Sequence, residues 1–169
     1  MSDAVQIPGP AQAAPIEPAP TRPLLTTAVT RGVCRLLRAR GLAPLVEVPL
    51  PDGRRADVMG TTTDGKLWVV EVKSSPEDFW ADLKWPDYLA WCDRFLFAVP
   101  ASFPQALIPA GVGLIVADGF GGEILRHDPR PVPETTLAAA RRKMLLLRFA
   151  QLAAERLQRL ADPDFEGGV

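Results

Sequence analysis

Histidine is nearly missing from this sequence. His127 stands alone, which excludes any mechanism that needs two imidazoles. Cysteine is almost as scarce. Cys34 and Cys92 lie in apolar or aromatic surroundings, at no spacing that a metal site uses, and read as buried free thiols of a reducing cytoplasm. Met1 to Pro23 holds no apolar core segment, so no signal peptide is expected. No apolar run approaches the roughly 20 residues needed to span a membrane. The chain therefore reads as soluble and cytoplasmic, with no membrane partner. Charge of one sign is also lacking, with a formal net charge of -1 and a pI of about 5.9. A surface coated in positive charge is excluded, and any nucleic-acid contact must use local basic patches.

What is present fits one domain, since 169 residues suffice for a single proper core. Residues 1–23 form a leader rich in proline and alanine, too poor in apolar surface to offset the entropy of ordering it. It is expected to be disordered, with the domain at 24–161 and a flexible tail at 162–169. A helix is expected over Thr27–Arg40, closed by Gly41. Val29, Val33, Leu36 and Leu37 make its apolar stripe, while Arg31, Arg35 and Arg38 repeat on another face. Strands follow at Leu45–Leu50, Arg55–Gly60 and Leu67–Lys73, with Asp52-Gly53 and Asp64-Gly65 as turns. Ser75-Pro76-Glu77-Asp78 has the N-cap, first-turn proline and early carboxylates of a helix start. Pro86 should end or kink that helix before Asp87–Cys92. A buried strand at Arg94–Val99, a hairpin of Gly113–Ala117 with Glu123–Arg126, and a long helix over Glu134–Leu160 complete the order. The class is α/β or α+β, a mixed sheet flanked by helices.

The chemistry gathers on the second and third strands. Side chains alternate along a strand, so Glu71 and Lys73 share a face. A hairpin symmetric about Asp64 sets Asp57 opposite Glu71, with Cβ atoms roughly 5 Å apart. Facing carboxylates repel, and a cation between them would relieve that repulsion. Lys73 can supply part of the charge, and a divalent metal the rest. Two carboxylates suit a hard cation such as Mg²⁺ or Mn²⁺, which keeps several waters. A lysine beside it can orient a water or stabilise charge developing on phosphorus. The chemistry implied is phosphodiester hydrolysis by metal-activated water. Glu-x-Lys alone is a weak signal. It gains weight because the chain uses 15 arginines against four lysines yet places a lysine here, in an otherwise apolar strand. The alternative is a surface hairpin with an incidental Glu/Lys pair.

The run Arg54-Arg55-Ala56-Asp57, then Trp68 to Ser75, then Asp78-Phe79, Asp82, Lys84-Trp85-Pro86 and Tyr88, then Cys92 to Phe95, resembles the MmcB family of bacterial DNA-repair proteins. The Asp57…Glu71-Val72-Lys73 arrangement resembles the PD-(D/E)XK nuclease superfamily. The resemblance covers most of Thr27 to Leu125. It implies a restriction-endonuclease-like fold and a DNA-repair role as a nuclease, with Asp57 and Glu71 as metal ligands and Lys73 as catalytic lysine. Many superfamily members add an acidic residue on the first helix. None stands there in this chain, and Glu47 on the first strand is the nearest substitute, either as a ligand or as an outward strand charge. Lys84 and Tyr88 hold the four-residue spacing that some relatives fill with Gln and Tyr, and Lys84 could touch a phosphate.

Arg54, Arg55, Arg31 and Arg35 are further candidates for DNA contact, with a solvated helix face the alternative for Arg31 and Arg35. Trp80, Trp85, Tyr88 and Trp91 could stack on unpaired bases or pack on the sheet, and packing is commoner. His127 is expected at the surface. The last helix reads as amphipathic through Leu137, Met144, Leu145, Leu152 and Leu160, with a basic side that meets DNA or solvent. Two functions compete, a metal-dependent DNA repair nuclease and a non-catalytic module that binds DNA or repair-protein partners on the same fold.

Overall fold

A computed structural model describes residues 21–82, 84–131 and 137–164. The expected disorder of residues 1–20, the helix start at Glu134 and the last five residues of the tail lie outside the described residues. The first helix, α1, spans Arg22–Ala39 and so begins earlier than expected. Pro23 sits in its first turn, where a missing N–H breaks no helical bond. Its end is a Schellman motif, with the Leu42 N–H on the Leu37 carbonyl at 2.9 Å and the Gly41 N–H on that of Arg38 at 3.0 Å. Gly41 takes φ +79°, the left-handed conformation this closure requires.

Strands β1 (Ala43–Pro49), β2 (Arg55–Thr61) and β3 (Leu67–Val72) form an antiparallel meander. Helix α2 (Pro76–Ala81) and a 3-10 helix at Trp85–Trp91 then cross over to β4 (Arg94–Val99), which runs parallel to β3. Strand β5 (Gly113–Ala117) pairs parallel with β4, and β6 (Gly122–Arg126) returns antiparallel. Strand order in the sheet equals chain order, and a long helix α3 (Ala139–Ala161) closes the chain. This is the mixed sheet with flanking helices that the sequence predicts. Among the described residues no helix is long and apolar enough to cross a membrane.

Alternation along the strands builds a core on each face. Val58, Val70, Val72, Leu96, Ala98 and Ile115 meet the α1 stripe of Val29, Val33, Leu36 and Leu37. Met59, Val69, Phe95 and Phe97 face the other way, onto Phe79, Tyr88, Leu145 and Phe149. The aromatic stretch is mostly packing. Trp85 stacks on Phe95 with centroids 5.6 Å apart, Tyr88 stacks on the same ring at 6.0 Å, and Trp80 alone among the four is exposed.

Two expectations are corrected. The helix opened by Ser75 does not reach Pro86, because α2 ends at Ala81 and the tighter 3-10 segment takes over. In α3, Leu145 is buried and Leu152 packs against the core as expected, but Met144 and Leu160 stand outside, and Phe149, which the expected stripe omits, completes the inner face. Its basic residues largely serve as ties. Arg142 grips the buried Asp93 carboxylate through two 2.7 Å bonds, and that carboxylate also accepts the N–H groups of Leu67 and Leu137. Arg156 donates to the carbonyls of Val46 and Glu47 on the edge strand β1.

Helix α1 approaches the β5–β6 turn so closely that a Cβ at Gly32 would overlap the carbonyl oxygens of Asp118 and Gly121. Both obstacles are backbone, so Gly32→Ala is predicted to lose about 3 kcal/mol of stability. Urea unfolding measures this, and a midpoint equal to the parent's would show that the helix can lift off the turn freely.

Candidate functional site

The β2–β3 register sets Val58 opposite Val70 and Met59 opposite Val69, so the next pair is Asp57 with Glu71, as the symmetric hairpin predicts. There the ladder stops and the side chains replace it. The Asp57 N–H donates to Glu71 Oε1 at 3.2 Å, and the Val72 N–H donates to Asp57 Oδ2 at 2.8 Å. Each carboxylate thereby spends one oxygen on the neighbouring strand. No buried side-chain oxygen among the described residues lacks a partner, so the remaining two oxygens are open to the cavity that both residues line. That cavity, about 920 Å³, lies between the ends of β2 and β3, the first turn of α1, and α2.

Lys73 follows directly on β3, and its own N–H donates to the Ala98 carbonyl of β4. The side chain is only 6% exposed, and its Nζ donates to Asp82 Oδ2 at 2.8 Å. The cation expected between Asp57 and Glu71 is thus bound directly by a third carboxylate. Asp82 belongs to the stretch that resembles the MmcB family, but sequence reasoning gave it no role. Local folding places it. The Ser75 hydroxyl caps α2 by accepting the Asp78 N–H, and the Asp78 carboxylate accepts the Ser74 N–H. With its start pinned to the end of β3, a six-residue helix carries Asp82 back beside Lys73.

The other candidates fall into three groups. Arg55 and Tyr88 line the same cavity, and the buried Tyr88 hydroxyl donates to the Arg55 carbonyl at 3.2 Å. Glu47 stands in one row with Asp57, since the flanking pairs are Val46 with Val58 and Val48 with Ala56. Its backbone takes φ 48°, a left-handed conformation uncommon for glutamate, and its carboxylate reaches Arg55 at 3.4 Å. Glu47 and Arg31 line a neighbouring groove that shares Thr26, Arg55 and Asp57 with the main cavity but does not include Glu71. Lys84, Arg54 and Arg35 are not brought into the cavity. The 3-10 helix makes three residues per turn, so Lys84 and Tyr88 do not share a face there. Arg54 pairs with Asp87 and Asp52 and lies over the Tyr88 ring, and Arg35 holds the carbonyls of Gly119 and Phe120. Arg22, a residue the sequence reading passed over, lines the cavity and pairs with Glu77 at 3.0 Å.

Burial and the neighbouring Asp57 charge push the Glu71 carboxyl up to about 8. Asp57 is raised as well, chiefly by burial, against the lowering effects of the Val72 N–H and Lys73. Burial would lower Lys73, but Asp82, with Glu71 and Asp78, outweighs it and holds the ammonium above its ordinary range. Among the described residues no three His, Cys, Asp or Glu side chains converge on one point. The donor set is therefore two carboxylates with an open oxygen each, which fits a hard divalent cation that keeps most of its waters.

Without metal, the Glu71 proton has a consequence for stability. The folded chain holds it to about pH 8, while the unfolded chain releases it near 4.5. More protons are bound in the folded state across that window, so stability falls as pH rises through it. Glu71→Gln stays neutral throughout. It is predicted to outlast the parent in urea by a margin that grows with pH, reaching on the order of a few kcal/mol near the top of the window. A margin that does not change with pH would mean an ordinary, ionised Glu71.

Comparison with known proteins places the chain in a family. A solved structure of a protein of unknown function from Silicibacter pomeroyi is 47% identical, covering 84% of this chain and 94% of that one, with a TM-score of 0.79. A repair endonuclease from Pyrococcus abyssi overlaps far less, at 24% identity over 41% of this chain and 33% of its own, with a TM-score of 0.29. No curated protein matches. The sequence model described as DNA repair protein MmcB-like matches residues 19–164, and the chain belongs to that MmcB-like family of DNA repair proteins.

Proposed function

We propose that this chain is a metal-dependent DNA repair nuclease that hydrolyses phosphodiester bonds. The observation that carries the reading is the interlocked pair Asp57 and Glu71, each holding one oxygen open to a cavity beside the buried Lys73. Membership of a DNA repair family supplies the substrate class, DNA. Asp57 and Glu71 would hold Mg²⁺ or Mn²⁺. When bound, such a cation supplies Lewis-acid charge, which lowers the pKa of a water and polarises a phosphodiester oxygen. Lys73 would donate to a phosphoryl oxygen as negative charge builds on it. Arg22 and Arg55, at the cavity wall, would bind flanking phosphates. Water attacks phosphorus, the bond to the leaving oxygen breaks, and a phosphate monoester and a hydroxyl remain. A reducing cytoplasm suits Cys34 and Cys92 as the free thiols they are.

A second reading has one observation behind it. The cavity sets Asp57, Glu71, Glu77, Asp78 and Asp82 against Arg22, Arg55 and Lys73, and Lys73 is already paired. An acidic cavity with an occupied lysine also suits a non-catalytic module that holds DNA or repair-protein partners through other surfaces.

Cleavage of branched, nicked and single-stranded DNA in Mg²⁺ or Mn²⁺ separates the two. The nuclease reading predicts metal-dependent products that Lys73→Ala reduces by at least about a hundredfold, with DNA binding retained. It also predicts Mn²⁺ binding by calorimetry that disappears in Asp57→Ala. Because the Glu71 proton must leave for the metal, affinity should climb with pH up to about 8. Equal DNA binding by parent and variant, with no cleavage by either, would favour the binding module.

A further inference from the structure

Helix α3 carries apolar residues on two faces, and the described residues cover only one. Inward, Leu145 and Phe149 are buried and Leu152 packs against the core. Outward, Leu147 is 56% exposed and Leu157 68%, with Ala150 and Ala154 exposed between them. Leu147, Ala150, Ala154, Leu157 and Ala161 follow the alternating three- and four-residue spacing of a coiled-coil seam. Of the eight large apolar side chains exposed among the described residues, Met144, Leu147, Leu157 and Leu160 all lie on this helix.

We infer that this outer face pairs with the same face of a second copy, in an antiparallel contact whose two-fold axis passes near residue 152. A two-fold interface must be self-complementary, so that if one residue meets another the reverse contact also forms. The exposed stripe has that property. Leu147 and Leu157 lie five positions either side of 152, and Ala150 and Ala154 lie two positions either side. Leucine thus meets leucine in the outer layers, while alanine meets alanine at the centre and lets the helices approach closely. Charge selects the direction. Lys143 falls on the seam, and a parallel pair would set the two ammonium groups against each other. The antiparallel pair instead sets each Lys143 beside Ala161 in the partner's last turn, where carbonyl oxygens face the end of the helix.

Sedimentation of the full chain from low to high micromolar concentration tests the pairing, with a species of twice the chain mass expected. Leu147→Glu, or Leu157→Glu should the first fail to fold, is expected to sediment as a single chain with an unchanged far-ultraviolet spectrum. For direction, Ala150→Cys mixed with Ala154→Cys should form the intermolecular disulfide faster than either variant alone. A parent that stays monomeric throughout overturns the proposal, as does a dimer indifferent to Leu147→Glu. Ala150→Cys cross-linking to itself faster than in the mixture would overturn the antiparallel register.

Discussion

Where the β2–β3 ladder runs out, two carboxylates take over the hydrogen bonding of the backbone. Asp57 accepts the Val72 N–H and Glu71 accepts the Asp57 N–H, so the side chains are stitched to the strands rather than left on flexible stems. Two like charges would normally part at this distance. Here the stitching keeps them together, and burial, with the neighbouring Asp57 charge, leaves Glu71 holding its proton to about pH 8. Everything else at the site takes its position from that pair. Lys73 is two residues on, Arg55 two residues back, and the cavity opens where the paired strands end.

The charge arrangement follows from the same constraint. Lys73 lies deep enough that a free ammonium would be costly, and Asp82 resolves this with a direct bond. Asp82 can do so because α2 is short and its start is fixed by Ser75 and Asp78. The parallel neighbour β4 completes the support, since the Ala98 carbonyl accepts the Lys73 N–H. Two strands, one capped helix and a buried ion pair thus act as one unit around the open carboxylate oxygens.

Much of this was legible in the sequence because it depends on local spacing. Counting outward from Asp64-Gly65 gave the Asp57–Glu71 register, and turn and cap signals gave the order of strands and helices. What stayed hidden depends on geometry that spacing does not encode. The Lys73–Asp82 bond spans a helix start whose length was overestimated, since nothing in the run from Ser75 to Pro86 marks the change to a 3-10 helix. Glu47 occupies the row that its register implies, but its left-handed backbone joins it to Arg55 instead. The four-residue spacing of Lys84 and Tyr88 carried meaning only for an α-helix.

Helix α3 shows where apolar pattern alone stops short of fixing a face, since Leu145 and Leu152 turn inward while Met144 and Leu160 stay outside. Its sequence carries apolar residues on more than one side. The choice is made by arginines. Arg142 must reach the Asp93 carboxylate and Arg156 the carbonyls of Val46 and Glu47, and these two residues lie on the same side of the helix as Leu145 and Phe149. A charged hydrogen bond to a buried carboxylate is among the stronger ties such a helix can make. The stripe left over is then an obligatory product of how the helix is tied down, and its symmetry about residue 152 makes a second copy the partner that fits it without any further element.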